Sequence, residues 1–207
     1  MFRDQSLDQF LAELSSRAPT PGGGSAAGLA AAMGVALVEM VARVVGARDE
    51  SEKARLDGFV AVCETTRGTF LELMERDSSA FQQYMAAMRL PKETDEEKAL
   101  RRSAMQTALK GSAVVPMDLA EKVCEFAELS NATFCSAPKD IASDLYVGSA
   151  MLEAAYQGAI ANVHVNLAYI KDPTFVEDVR ARLDVLMHRI AVLASFKETI
   201  GRLLEIP

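Results

Sequence analysis

An all-α fold follows from three observations on this chain. Apolar residues recur at steps of three and four along most of its length, no segment alternates convincingly with period two, and small or aliphatic side chains carry the apolar load. Half of the 207 residues are hydrophobic, yet only 6% are aromatic and Trp is absent. That balance favours closely packed helices over a sheet sandwich. The length suits a single helical domain over residues 1–207 with a sizeable core, and no internal repeat is evident. The expected architecture is a bundle of about six helices, several of them long and Ala-rich. Such helices often pair across a two-fold axis, so a homodimer is the expected assembly.

The first helix is predicted to start at Ser6, with Gln9 as its capping-box partner and Leu7, Phe10, Leu11 and Leu14 on one face. Pro19, Pro21 and the glycines Gly22, Gly23 and Gly24 end it. Ser25 then stands where an N-cap is expected for a second helix running to about Val45, whose Gly28, Ala32 and neighbouring alanines permit close backbone approach. From about Ser51 to Met88 the pattern is helical, with room for one break, and Phe70, Leu73, Asp77, Phe81, Tyr84 and Met88 form a stripe. Leu90-Pro91-Lys92 stops it. Thr94 and Glu97 make a second capping box, and Pro116 kinks or restarts a helix that continues to about Leu129. Asn131 to Lys139 reads as a loop, Ile141 to Ile170 as a long helix ended by Asp172-Pro173, and Phe175 to Leu204 as the last helix.

A net charge of −7 without a basic cluster speaks against nucleic acid as a partner. Cys63, Cys124 and Cys135 are odd in number and show no CxxC spacing, as expected of reduced thiols filling a core. No signal-peptide pattern is visible, and the uncharged run from Ser25 to Val38 is short for a membrane span, so a soluble cytoplasmic protein without membrane partners is expected.

Three places could carry chemistry. The bare glycines Gly22 to Gly24 and Ser25 precede a helix N-terminus, which suits an anion or a polar ligand edge; a tight turn into a closely packed helix explains them equally, and the two readings are compatible. Asp77 lies on an apolar stripe, where lost hydration raises a carboxylic acid's pKa and lets it hold a proton near neutral pH. The alternative is a stripe-edge residue that caps a neighbour or pairs with an Arg. Asn162 and Asn166, one turn apart on a face of small and apolar residues, need partners in the bundle or in a ligand. Asp144, behind Ser143 at the start of the same helix, can serve as a cap. His164 and His188 lack metal-ligand spacing, and there is no HExxH, Walker loop or GxGxxG. Nothing suggests a serine nucleophile organised by a His and an acid.

Taken in order, Pro19-Thr20-Pro21-Gly22-Gly23-Gly24-Ser25, Asp77-Ser78-Ser79-Ala80-Phe81, Leu90-Pro91-Lys92, Met105-Gln106 with Ala108-Leu109-Lys110, Val115-Pro116, Ser143-Asp144 and Asn162-Val163-His164-Val165-Asn166-Leu167 form a specific series. In these segments the chain resembles, nearly end to end, the cyclodeaminase domain of the formiminotransferase-cyclodeaminase family and its stand-alone relatives, which include methenyltetrahydrofolate cyclohydrolases. The resemblance implies an all-helical homodimer that acts on a tetrahydrofolate derivative as substrate, with no metal or bound cofactor. It implies Asp77 as the catalytic acid/base, and Gly22, Gly23, Gly24 and Ser25 beside the pterin or the reacting carbon. It offers Asn162, Asn166, Asp144 and Gln106 for the pterin edge. Lys92, Arg101, Arg102 and Lys110 are the cations available to a glutamate tail.

The chain departs from the family pattern twice. Where the family carries a Gly followed by lysines and often a Tyr, Gly46 leads into Ala47-Arg48-Asp49-Glu50, and where it has Gly-Asn before Ser-Asp, this chain has Ala137-Pro138-Lys139-Asp140. The expected activity is formiminotetrahydrofolate cyclodeamination. The alternatives are methenyltetrahydrofolate cyclohydrolysis and a non-catalytic folate-binding or dimerisation scaffold.

Overall fold

The computed structural model describes residues 1–134 and 138–205. Cys135 and Ala137 lie outside the described residues, so the expectations attached to them have no structural counterpart. The described residues form seven α-helices: α1 (Leu7–Leu14), α2 (Gly23–Arg48), α3 (Glu50–Met88), α4 (Asp95–Thr133), α5 (Ala142–Leu167), α6 (Pro173–Arg189) and α7 (Ala191–Leu203), with short 3-10 turns at Phe2–Asp4 and Lys139–Ile141. The expectation of about six helices differs only at the end of the chain, where the last one divides at Ile190.

Local chemistry sets most of the boundaries. Ser6 with Gln9 and Thr94 with Glu97 close reciprocal capping boxes at the starts of α1 and α4. Asp172 caps α6 from its side chain, and Pro173 occupies the first turn, where its missing N–H costs nothing. α3 is unbroken, and α4 continues through Pro116. The N-cap of α2 is Gly22 rather than Ser25. The helix begins within the glycine run, three residues earlier than a capping side chain would place it.

α2, α3, α4 and α5 form an up-down-up-down bundle, each antiparallel to its neighbours. Gly28 lies against Met74 and Gly46 against Leu56, while Gly34 meets Gly148 and Gly158 meets Ala27. Phe59 stacks near Phe126, and Asn166 bonds the Ser112 carbonyl. The small residues of α2 set the spacing. A Cβ on Gly34 would lie 2.9 Å from the Gly148 carbonyl oxygen, and one on Gly28 would lie 3.0 Å from Met74 Cα. Between the helices Phe70, Leu56, Met74, Met117, Leu145 and Leu152 are fully buried, each stabilising the fold by about 1.5–3 kcal/mol before entropy is charged against it. Cys63 and Cys124 share this core, and burial pushes their thiols up to about 12 and about 11.

α6 and α7 cover the α4–α5 side, with Arg189 bridging to Glu128 and Lys197 to Glu153. By length and composition α2 could cross a membrane, with mean hydropathy 1.8 over its most apolar window, but half of that window is buried inside the bundle.

Candidate active site

The antiparallel order gathers four helix segments at one end of the bundle: the N-terminus of α2, the last third of α3, the first half of α4 and the C-terminal turns of α5. Asp77 of α3 is half-buried there and packs over the first turn of α2. A Cβ on Gly24 would lie 2.1 Å from Asp77 Oδ1 and 2.7 Å from Oδ2, so the carboxyl occupies the space that a side chain at position 24 would need. Glycine is required here for close approach. The flanking Thr20–Pro21 peptide is cis.

Ser25 is fully buried, and its hydroxyl lies 3.1 Å from Asp77 Oδ2, 3.3 Å from the Met74 carbonyl oxygen and 3.3 Å from Ser78 Oγ. Burial raises the Asp77 carboxyl above its ordinary range, while hydrogen bonds from the Ser25 side chain and backbone pull in the opposite direction. The stripe position takes the carboxyl partly out of water, and among the described residues its neighbour Arg76 turns to Asp118 instead.

Asn162 lies against Gly23, its Nδ2 being the nearest atom to a Cβ built there, at 3.6 Å. That amide donates to the Gly158 carbonyl of its own helix, at 2.8 Å. Asn166 donates to the Asn162 and Ser112 carbonyls, both at 2.9 Å, and so ties α5 to α4. One turn past Asp77, Phe81 is 37% exposed and packs near Tyr84 at 6.4 Å between ring centroids. These aromatics stand on α3 where it runs beyond the start of α2, their rings tilted 52° to each other, and offer aromatic surface next to the acid. Their spacing of four and seven residues from Asp77 was visible as the stripe, but a stripe does not distinguish core from an exposed wall.

Gln106 and Lys110 are at this end of α4 but are occupied. Gln106 donates to the Tyr169 carbonyl and accepts from the Lys171 amide, at 3.0 and 2.7 Å. Lys110 pairs with Asp172 at 2.6 Å and lies over the Phe175 ring. Both residues anchor the α5–α6 connection. Among the other cations, Arg101 bonds the Met88 carbonyl, while Lys92 and Arg102 are exposed. His164 and His188 are exposed as well.

Asp144 is not brought to this cluster. It sits in the first turn of α5, and because α5 runs antiparallel to α2 that turn lies at the opposite end of the bundle, where Arg48 pairs with Asp140. The axial separation from Asn162 is about 27 Å at the rise of an α-helix. Ser78 stands in the motif that runs from Asp77 to Phe81 but carries no role in the sequence reading, since its context resembles that of any other helical serine.

A family model described as formiminotransferase-cyclodeaminase matches residues 6–185. The chain is 34% identical over 195 residues to a methenyltetrahydrofolate cyclohydrolase from Methylorubrum extorquens, covering 93% of this chain and 94% of that protein. It is also 34% identical over 194 residues to a formimidoyltransferase-cyclodeaminase from Sus scrofa, but there it spans only 35% of the relative's length. Among solved structures, a formiminotetrahydrofolate cyclodeaminase from Thermotoga maritima superposes with a TM-score of 0.82 at 28% identity, over 99% of this chain and 98% of that one.

Proposed function

Since the chain belongs to the formiminotransferase-cyclodeaminase family, whose named relatives are enzymes of folate one-carbon chemistry, we propose that it cyclises 5-formiminotetrahydrofolate with Asp77 as general acid. The observation that carries this reading is the Asp77 carboxyl itself, half-buried, raised in pKa by lost hydration, and packed on Gly24 at the start of α2. In the step envisaged, N10 of the substrate attacks the formimino carbon and forms the C–N10 bond. The proton released by N10 passes to the exocyclic nitrogen, which takes a second proton from Asp77 and leaves the tetrahedral carbon as ammonia. The product is 5,10-methenyltetrahydrofolate. An acid whose neutral form persists at higher pH than usual suits protonation of a leaving amine.

Phe81 and Tyr84 would face the flat pterin, and Asn162 would meet its polar edge through a carboxamide oxygen not used within the helix. Lys92 and Arg102, being exposed, are better placed for a glutamate tail than Lys110, which Asp172 neutralises. The enzyme would work in the cytoplasm as a homodimer. Met33 and Met40 of α2 and Val147 of α5 are each more than 40% exposed, on the two helices that already pack against each other.

The second reading is hydrolysis of the methenyl compound to 10-formyltetrahydrofolate. It is favoured by the near full-length match to a cyclohydrolase, and the same acid would serve, because both reactions pass through a tetrahedral carbon between N5 and N10. Purified protein given 5-formiminotetrahydrofolate or 5,10-methenyltetrahydrofolate separates the two. Growth of the methenyl absorbance above the uncatalysed rate marks cyclodeamination, faster decay marks hydrolysis, and no change in either defeats both. In each case Asp77→Asn should abolish the change while ligand binding persists.

A further inference from the structure

We propose that Ser25 is a positioning residue, one that fixes which oxygen of Asp77 reacts and never touches the substrate. The inference rests on the reading of Asp77 as the acid. Its starting point is that the Ser25 side chain has no role in its own helix. Gly22 occupies the N-cap of α2, with no side-chain cap, so the hydroxyl is turned away from the α2 backbone and towards α3. It is also fully buried, beyond the reach of any ligand that leaves the fold intact.

A buried hydroxyl has one hydrogen to give and must place it well. Three oxygens of α3 surround Ser25 Oγ, and the shortest approach, 3.1 Å, is to Asp77 Oδ2. A carboxylate is also the strongest of the three acceptors. Ser78 Oγ, at 3.3 Å, can supply a hydrogen to the lone pair that Ser25 keeps. With Oδ2 held from below, the acid's own proton rides on Oδ1. That is the oxygen seated deepest in the space that a side chain at Gly24 would need. Gly24 makes room for the carboxyl, and Ser25 locks it there through its hydroxyl on Oδ2 and its backbone N–H, so the two adjacent residues position one group.

The charged groups around Asp77 leave Ser25 the main polar influence on it. Glu75 accepts from the Arg3 amide, Arg76 reaches across to Asp118 of α4, and Lys110 pairs with Asp172. From α2 the group meets Gly24 and Ser25, and α5 presents the neutral Asn162 beside Gly23. Loss of the Ser25 hydroxyl therefore removes stabilisation of the anion and leaves burial unopposed by it.

The test follows the Asp77 carboxyl directly, by its carbon-13 resonance, assigned as the signal absent from Asp77→Asn. In Ser25→Ala the titration midpoint should move to higher pH. With substrate, kcat should fall about tenfold to a hundredfold, the worth of one hydrogen bond to a charged group, while KM stays unchanged and the alkaline limb of the rate profile moves with the carboxyl. Ser78→Ala deletes a neighbouring buried hydroxyl and should shift the midpoint less. If Ser25→Ala does not fold, Ser25→Cys fills the site with a slightly larger side chain that is only a weak donor, and should shift it in the same direction. An unmoved midpoint, a shift as large in Ser78→Ala, or a raised KM at constant kcat would overturn the proposal. The resonance reports on Ser25 whatever the turnover, whereas survival of turnover in Asp77→Asn would sink the reading of the acid alone.

Discussion

Gly24 and Asp77 share one space: a single methyl group on the first would stand 2.1 Å from Oδ1 of the second. The contact is to the far end of a side chain that can rotate, not to backbone. Gly24→Ala should therefore fold, with the carboxyl swung out of place. Turnover should drop roughly a hundredfold, as misplacement of a reacting group by about 1 Å commonly costs. The thermal midpoint should change little, because Ala is the better helix former by about 1 kcal/mol. Kinetics and melting on the same preparation check both halves, and a fully active Gly24→Ala would mean that Asp77 need not lie where it does.

Asp77 also predicts a pH dependence of stability. Burial raises its folded-state pKa above the ordinary value of 3.8, so between those two values the folded chain holds more protons than the unfolded one. The stabilisation due to the protonated group is complete below the ordinary value and is lost as pH rises through the raised one. Asp77→Asn lacks this titration. Urea unfolding of both proteins from acid to neutral pH should show the variant gaining on the wild type as pH rises, and ending no less stable. A variant much weaker at neutral pH would give Asp77 a structural role instead.

The two asparagines should separate. Asn166 bonds the Ser112 carbonyl across to α4, so Asn166→Ala should cost about 1–2 kcal/mol by stranding a buried acceptor. Asn162 donates only to its own helix and lies against Gly23. Asn162→Ala should leave the melting temperature near that of the wild type and raise KM. Calorimetry and steady-state kinetics on the pair would reverse this assignment if Asn162→Ala alone proved unstable.

Gly34 offers a test of the bundle away from the site. Gly34→Ala would press a methyl to 2.9 Å from the Gly148 carbonyl, which is backbone and cannot turn aside. Separating α2 from α5 should destabilise the fold by about 1–3 kcal/mol. Gly58 of α3 is exposed with nothing near its missing Cβ, and Gly58→Ala should instead stabilise by up to about 1 kcal/mol. Denaturation midpoints of opposite sign would confirm that close approach, not helix content, requires the glycine at position 34.

Sequence alone determined what local physics controls. The capping boxes at Ser6 and Thr94, the stop at Leu90-Pro91, the close-packing glycines of α2 and the desolvated position of Asp77 were all legible, because propensity, capping and periodicity act within a turn or two. The break at Ile190 was not legible, since the apolar stripe continues through it. Tertiary structure decided which of the marked residues meet. Antiparallel packing brought Asp77, Gly24, Ser25 and Asn162 to one end, although they are spread over more than half the chain. The same packing sent Asp144 to the other end, even though it shares a helix with Asn162. It also turned Ser25 from an expected cap into a buried partner of the acid, and occupied Gln106 and Lys110 with the α5–α6 connection. Where a hydroxyl or a cation spends its hydrogen bonds depends on what the next helix places beside it, and the spacing of residues along one helix carries no record of that.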